Sequence, residues 1–407
     1  MLGAEEQIKV GPKTSGDWVS GAMMLAEHRD LEGSLWQLGL KETLDHQDFF
    51  ADLETLSRSA EYPNLFFEKG WLSNSINSIA RRKVKFLFLT ETYGETRTLK
   101  FFAPVTQERL GIIGPVFFRI WSNEYSPLGM PLVEKRDVER IVEELYLSFG
   151  QIKSGQARGL VINTVPKHNR FTKLLKECGV KKNCIHSFND YERAGLSPVG
   201  PKGYFKVSLS SKHRQRLNAA RKKLDALGDV TIACVSTLPE IEVQLLDFLY
   251  IEGRGWKGVR KTALISQDST RQLALGVVRE LAASGQCEIY SLSLDEQVIA
   301  STIFLNSNGH YVAWKTTYDE AYSRYSVGNL LVVEATDEIA SREGFKLLDS
   351  VALGDNVTAN RLWPDPLELE SLSIGFGDRG GALAKRMALN LSVFMKTKRA
   401  LRNLLRR

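Results

Sequence analysis

The residues best suited to chemistry in this chain form the turn Tyr325-Ser326-Val327-Gly328-Asn329, where a predicted strand gives way to a predicted helix. A helix begins with backbone N–H groups that have no intrahelical acceptor, and this end carries a partial positive charge. Such a helix start binds a phosphate or pyrophosphate group. We therefore expect these five residues to bind a phosphate-bearing cofactor, with the N–H groups of Val327, Gly328 and Asn329 facing the anion.

Carboxylates near this turn are candidates for proton transfer. Asp349 interrupts the otherwise apolar stretch 347–351. A carboxylate in a buried strand needs a partner or a raised pKa, and active-site acids share that property. The alternative is that Asp349 caps the strand or forms an ion pair. Asp319 and Tyr318 follow the strand that precedes the turn, where Asp319 equally suits turn formation and Tyr318 suits packing.

The elements around the turn follow one order, and that order occurs twice. Each copy reads as a helix, three strands, a turn, a helix and a further strand. The second copy comprises residues 270–284, 288–294, 298–305, 310–316, 326–343 and 347–350. The first comprises 66–79, 85–89, 99–105, 114–121, 137–149 and 159–163. The pattern predicts an α/β fold with two modules in tandem, each a mixed central sheet flanked by helices.

Length and pattern divide the chain. The chain has 407 residues, more than one ordinary core accommodates. We predict modules over 44–200 and 201–378, preceded by a partly disordered extension over 1–43 and followed by a basic helix over 379–407. Regular structure is expected from about Leu44. The turn of the first module, at 126–129, contains a proline that removes one N–H group, so cofactor binding is assigned to the second module.

Between the copies lies a basic segment. Ser210 is a candidate helix N-cap, and residues 212–223 carry six basic side chains and no acidic one. The segment is either an exposed linker helix or a positive wall above a cleft for an anionic substrate. On the second interpretation Arg214 and Arg221 contact substrate. Trp256, further along, suits stacking on a sugar ring and core packing equally.

Composition excludes several classes of protein. Hydrophobic residues make up 43% and charged residues 25%, as in soluble globular proteins. No apolar run reaches membrane-spanning length, and the N-terminus predicts no secretory signal. The four cysteines show no CxxC spacing, which predicts a cytoplasmic protein with reduced thiols. Cys178, Cys184 and His186 match no zinc-binding pattern, so no metal site is predicted.

The net charge of +6 is concentrated in the C-terminal tail. Residues 379–407 contain nine basic side chains and no acidic one, with apolar residues near helical spacing. Such a helix can lie on an anionic membrane surface, contact nucleic acid, or pack by one face on the body of the protein. The first and third alternatives are favoured over nucleic acid.

Several motifs resemble those of a known group. The stretch from Ser211 to Gly228, followed by Trp256, together with residues 318–321 and 325–331, resembles bacterial acetyltransferases associated with cellulose and exopolysaccharide biosynthesis. The resemblance runs roughly from Pro63 to Leu372. Those proteins have tandem GNAT-like domains and are related to peptidoglycan aminoacyltransferases.

The resemblance implies an acyl group carried on CoA, with acetyl-CoA as donor, and an amine acceptor on a sugar or sugar-lipid precursor. It also implies that the pantetheine arm lies beside a strand of the second module. Backbone N–H groups from Val312 to Lys315 would stabilise the oxyanion. The sequence departs from the usual pyrophosphate pattern, because Tyr325 replaces Gln or Arg and Leu330 replaces a small residue.

These observations predict an acyl-CoA-dependent N-acyltransferase acting on a cell-envelope or exopolysaccharide precursor. Asp349, Asp319 or Glu252 would accept a proton, and Tyr318 or Tyr325 would protonate the leaving thiolate. The basic tail would place the enzyme at the inner face of the membrane. Two alternatives remain, an aminoacyl-tRNA-dependent transferase and a non-catalytic module that binds a polysaccharide precursor.

Overall fold

The computed structural model describes residues 18–44, 47–111, 114–153, 155–200 and 203–405. Side chains of 398–399 and 402–405 are not described. The first 17 residues of the predicted N-terminal extension lie outside this part of the chain.

The described residues form one mixed sheet of fourteen strands. The strands are β1 (Met23–Arg29), β2 (Leu35–Lys41), β3 (Val84–Tyr93), β4 (Thr96–Arg109), β5 (Val116–Ile120), β6 (Leu132–Val133), β7 (Gly159–Pro166), β8 (Ile185–Leu196), β9 (Val230–Val235), β10 (Cys287–Leu294), β11 (Gln297–Ser307), β12 (His310–Tyr318), β13 (Leu347–Asp349) and β14 (Asp365–Gly375). Their order in the sheet is β1-β2-β3-β4-β5-β7-β14-β8-β13-β12-β11-β10-β9, with β6 paired to β4.

Helices cover the sheet. They are α1 (Gln47–Ser59), α2 (Lys69–Ile79), α3 (Val138–Gln151), α4 (Arg170–Lys181), α5 (Tyr204–Val207), α6 (Ser211–Asp225), α7 (Leu238–Arg254), α8 (Trp256–Val259), α9 (Asp268–Ala283), α10 (Val327–Ser341), α11 (Val357–Leu362) and α12 (Gly380–Leu405). Short 3-10 helices occupy Leu65–Phe67, Leu264–Ser266 and Glu320–Tyr325. The α/β prediction is confirmed.

The two halves repeat one topology. In the first half β5 leads through α3 to the parallel strand β7, then through α4 to β8. In the second half β12 leads through α10 to the parallel strand β13, then through α11 to β14. The predicted tandem of two modules, each with mixed strands and flanking helices, is therefore confirmed, although their strands join in a single sheet.

The last strands of the two halves are exchanged. Strand β8 pairs with β13 of the second half, and β14 pairs with β7 of the first half. The two exchanged strands also pair with each other along most of their length. A pseudo-twofold arrangement of strands follows, with β8 and β14 at its centre.

Regular structure begins earlier than expected. The prediction that it starts near Leu44 is wrong, because β1 and β2 extend the sheet beyond β3. Trp18 and Trp36 are fully buried, so burial of two large aromatic side chains stabilises this edge of the fold.

One face of α12 packs on the body, as one of the three interpretations of the basic tail predicted. Ala384, Met387, Ala388 and Leu391 are buried against strands of the sheet. Leu389, Val393 and Phe394 remain exposed on the same helix. Among the described residues, no helix is long and apolar enough to cross a membrane.

Candidate active site

The sheet opens between β12 and β13. These strands pair in parallel only from His310 and Leu347 to Val312 and Asp349. β12 continues to Tyr318, whereas β13 ends at Asp349, so within the described part of the chain one edge of β12 has no neighbouring strand beyond Val312. A cleft of about 460 Å³ fills the gap, bounded by residues 313–318, 350–352, the start of α10 and α11. We call it the wedge cleft.

A β-bulge lies on the open strand. In the ladder with β11, Ile303 is opposite Lys315 and Phe304 is opposite Ala313, which leaves Trp314 as the extra residue. Bulges interrupt the ladder and redirect the bulged strand, and they are frequent beside active sites. The Trp314 indole N–H donates to the Tyr125 carbonyl oxygen at 3.3 Å. The first half of the molecule therefore supports the bulge directly.

The start of α10 borders the cleft at its other end. Ser326 has φ +54°, which turns the chain from the 3-10 helix into α10. The N–H groups of Asn329 and Leu330 donate to the Ser326 carbonyl oxygen, at 2.9 and 3.0 Å. Val327 and Gly328 have N–H groups without a backbone acceptor among the described residues. The expectation that the Asn329 N–H faces an anion is therefore wrong.

Gly328 lies close to the ring of Tyr318. A Cβ atom at this position would lie 3.0 Å from Cδ1 of Tyr318, so any side chain here would push against the ring that lines the cleft. Gly328 and Asn329 both line the cleft. The helix start therefore presents bare backbone to the cleft, as anion binding requires.

Charged side chains line the cleft opposite α10. Glu252 is 2% exposed, and its carboxylate accepts from Lys257 Nζ at 2.9 Å and from the Leu264 N–H at 2.7 Å. Lys257 also donates to the Thr316 carbonyl oxygen at 2.9 Å. Burial, together with the nearby charge of Lys257, lowers the pKa of Lys315 to about 8. The Lys315 ammonium nitrogen lies 4.9 Å from the centre of the Tyr125 ring.

Residues 211–356 match the family model described as an acetyltransferase (GNAT) domain. This stretch has the fold of a GNAT acetyltransferase domain. It contains β12, β13, α10 and the turn between them, so the wedge cleft belongs to it. The protein is an acyltransferase.

FemX has the same fold across both halves, and two further solved structures are similar at lower TM-scores. FemX is 10% identical with a TM-score of 0.52, over 79% of this chain and 95% of that chain. A conserved protein of unknown function from Bacteroides thetaiotaomicron is 11% identical with a TM-score of 0.49, over 82% and 99%. A tandem GNAT protein from the clavulanic acid biosynthesis pathway is 12% identical with a TM-score of 0.37, over 83% and 98%. No curated protein sequence matches the chain.

The GNAT domain brings part of the predicted cofactor set together. Lys315, Gly328 and Asn329 line the wedge cleft. Val312 lies at its apex, where β12 and β13 are still paired. The other predicted members are in or next to the turn: Ser326 and Val327 form it, and Tyr325 is buried with the Arg324 guanidinium 4.7 Å from its ring centre.

The three predicted catalytic residues are separated. Tyr318 lines the wedge cleft. Asp319 is the N-cap of the 3-10 helix and accepts the Ala321 N–H at 3.0 Å, which is the turn-forming arrangement. Asp349 does not line the cleft of the GNAT domain.

Asp349 is held in a buried ion pair. One carboxylate oxygen accepts from the Arg193 guanidinium, and the other accepts the Val351 N–H at 2.8 Å. Arg193 is 2% exposed and donates also to the Pro127 carbonyl oxygen at 3.0 Å. Arg193 lies on β8, which the sequence analysis did not identify. The oxygen paired with Arg193 therefore links the two halves, and the other oxygen supports the local turn at Val351.

The three predicted substrate residues lie apart as well. Trp256 lines the wedge cleft and is 47% exposed. Arg214 donates to the Lys206 carbonyl oxygen at 2.9 Å, and Arg221 forms an ion pair with Asp225 at 2.7 Å. Neither arginine lines the cleft. Helix α6, which carries them, nevertheless packs against the 3-10 helix that precedes the turn at Ser326.

Proposed function

We propose that the protein transfers an acyl group from acyl-CoA, with acetyl-CoA as the expected donor, to an amine of a cell-envelope or exopolysaccharide precursor. The observation that carries the proposal is the open edge of β12, which runs from the bulge at Trp314 to the start of α10. The cleft thus offers a strand edge at one end and a helix N-terminus at the other.

These two features suit the two parts of CoA. The pantetheine arm is an extended chain with amide groups, and such a chain binds to a free strand edge by main-chain hydrogen bonds. The pyrophosphate would accept from the N–H groups of Val327 and Gly328 at the positive end of α10. Gly328 lacks a side chain that would block this approach.

The transfer needs groups that are present in the cleft. The amine nitrogen forms a bond to the acyl carbon, the carbon–sulfur bond breaks, and the proton lost by the amine is balanced by one gained by the thiolate. Backbone N–H groups at the bulge near Trp314 would stabilise the oxyanion. The amine of Lys315, with a pKa of about 8, suits proton acceptance near neutral pH, and Tyr318 suits protonation of the thiolate.

The test is calorimetric titration of the full chain with acetyl-CoA, CoA and longer acyl-CoAs. We expect about one molecule bound per chain, with at least tenfold weaker binding in Gly328→Leu. Gly150→Leu is the matched control, because a Cβ at Gly150, on α3, meets no atom within 4 Å. Absence of binding by folded protein, or equal weakening in both variants, would remove acyl-CoA as the donor.

A second candidate donor is aminoacyl-tRNA, for which the position of α6 is the favouring observation. Its exposed basic side chains include Lys212, Lys222 and Lys223, beside the 3-10 helix next to the cofactor turn. A polyanionic donor would meet these charges as it enters the cleft. Tight tRNA binding with a steep decline as salt rises would favour this donor over acyl-CoA.

Helix α12 supports a place at the membrane surface. Its outer face combines exposed Leu389, Val393 and Phe394 with Arg386 and Lys396. A helix of this kind lies in the interface of an anionic bilayer. We propose that α12 holds the enzyme at the cytoplasmic face, where sugar-lipid acceptors would be available.

A further inference from the structure

One loop of the first half forms part of the wall of the wedge cleft. It joins β5 to β6 over residues 121–131, and its side chains Glu124 and Tyr125 line the cleft. The other residues that line the cleft lie between 252 and 363, in the second half. We call this segment the Tyr125 loop. It brings side chains of the first half to a cleft that otherwise belongs to the second.

The Tyr125 loop is fixed on both sides of the tyrosine. On one side, the Asn123 side-chain oxygen accepts the Tyr125 N–H at 2.8 Å. On the other side, the Pro127 carbonyl oxygen accepts from the Arg193 guanidinium at 3.0 Å. Arg193 is buried on β8, at the centre of the sheet. Tyr125 is therefore held at a defined position rather than on a free loop.

Tyr125 makes two contacts with β12. Its carbonyl oxygen accepts the indole N–H of Trp314, the bulged residue, at 3.3 Å. Its ring centre lies 4.9 Å from Nζ of the next residue, Lys315. Trp314 is held from the first half a second time, because Trp71 on α2 meets it edge to face with ring centres 5.6 Å apart. The first half thus contacts both residues at the bulge.

The amine of Lys315 depends on these aromatic rings. Within the described part of the chain it has no hydrogen bond or ion pair, whereas Lys257 nearby bonds to Glu252 at 2.9 Å. The contacts of Lys315 Nζ are with the rings of Tyr125 and Trp314, whose centres lie 4.9 and 5.9 Å away. An ammonium group is attracted to the face of an aromatic ring, most strongly where water is excluded. Tyr125 supplies the shorter of the two contacts.

Several groups around Lys315 set its protonation. Burial and the charge of Lys257 lower the pKa of Lys315, and the carboxylates of Glu252 and Glu124 raise it. The ring of Tyr125 also favours the ammonium form. Removing the ring without admitting water should therefore lower the pKa of Lys315 further, whereas admitting water alone should raise it.

We propose that Tyr125 is a positioning residue, whose ring holds the Lys315 amine at the bulge of β12. This inference rests on the proposed function, because Lys315 is the proton acceptor of that transfer. Tyr125 acts through Lys315 and takes no proton itself. The first half is then required for chemistry that takes place on a strand of the second half.

The test compares Tyr125→Phe and Tyr125→Leu with wild type. The backbone carbonyl oxygen that holds Trp314 is present in every variant, so only the ring is changed. The measurement is the rate at which trace acetic anhydride labels Lys315 between about pH 6 and pH 11, read by peptide mass spectrometry. The midpoint of this profile reports the pKa of Lys315. The control is Tyr93→Leu, at the exposed end of β3 outside the cleft.

Tyr125→Phe and Tyr93→Leu should give the wild-type midpoint, because both keep a ring beside Lys315. Tyr125→Leu should lower the midpoint by about 0.5–1 pH unit, since leucine fills the space but has no aromatic face. Tyr125→Met should give the same shift, so the test does not depend on the folding of one variant. Thermal midpoints show which variants are folded.

An unchanged midpoint in folded Tyr125→Leu or Tyr125→Met would overturn the inference. A raised midpoint would also overturn it, because the ring would then only shield the amine from water. The labelling needs no cofactor, and acetyl-CoA binding is measured on the same samples. A lowered midpoint in a wild-type background that binds no acetyl-CoA would refute the donor and leave the positioning of Lys315 intact.

Discussion

Replacing Asp349 by asparagine separates two roles for this residue, a structural partner of Arg193 and a general base. The two side chains are 7% and 1% exposed, so the ion pair is almost fully removed from water. Breaking a buried pair by removing one partner leaves an uncompensated charge and costs about 3–5 kcal/mol. Asparagine retains an oxygen for the Val351 N–H, so that hydrogen bond is not part of the loss.

The measurement is urea unfolding of wild type, Asp349→Asn, Arg193→Met and the double variant Arg193→Met/Asp349→Asn. Each single variant should lose about 3–5 kcal/mol in the free energy of unfolding, whereas the double variant should lie close to wild type because no charge remains buried. The control is Asp268→Asn, whose ion pair with Arg271 is exposed and should contribute under about 0.5 kcal/mol.

Acyl transfer by the same variants decides the second role. If Asp349 acts only as the ion-pair partner of Arg193, the fraction of Asp349→Asn protein that remains folded should have a transfer activity within a few fold of wild type. A variant within about 1 kcal/mol of wild-type stability whose transfer rate falls a hundredfold would refute this reasoning and restore Asp349 as the base. The Val351 backbone has a φ of +43°, which is strained for a β-branched residue, and its N–H donates to the Asp349 carboxylate. Because asparagine retains that acceptor, Asp349→Asn tests the charge of Asp349 separately from its support of Val351.

Two further predictions concern Lys315 and α12. Burial lowers the pKa of Lys315 to about 8, below its ordinary value of 10.5. Between pH 8 and pH 10.5 the native state therefore binds fewer protons than the unfolded state, so the free energy of unfolding rises with pH over this range. The free energy of unfolding of Lys315→Met should rise less than that of wild type from pH 8 to 10, and parallel profiles would contradict this. For α12, the chain should co-sediment with phosphatidylglycerol vesicles and not with phosphatidylcholine vesicles, and Phe394→Asp should weaken the effect. Equal sedimentation with both lipids would exclude electrostatic binding.

Local patterns in the sequence are sufficient to predict much of the secondary structure of the second half. The strands β10 to β12 are rich in apolar residues, and Ser210 caps α6 as its sequence predicts, accepting the His213 N–H at 3.3 Å. The turn at Tyr325–Asn329 is predictable because the change from strand to helix lies within a few residues. The free N–H groups were not fully predictable, since Ser326 takes a left-handed conformation that engages Asn329.

The exchanged strands were missed because their signal is non-local. β8 is rich in polar residues and β14 begins Asp-Pro, so neither has a continuous apolar run at its start. Their stability comes from partners far along the chain. The ion pair of Arg193 joins residues 156 positions apart, and no spacing rule in one sequence identifies such a partner. The role of Asp349 was therefore open until its environment was known.

Because β8 and β14 are exchanged, the sheet of the first half can be completed only after the second half has been synthesised. β7 ends at Pro166, but the strand that covers its outer edge ends at Gly375, so the edge stays unpaired while 209 further residues are made. At about 5–20 residues per second this interval lasts on the order of 10–40 s. An exposed apolar edge invites pairing with another chain. The nascent first half therefore needs protection from aggregation until the second half arrives, and neither half completes its own sheet when it is produced alone.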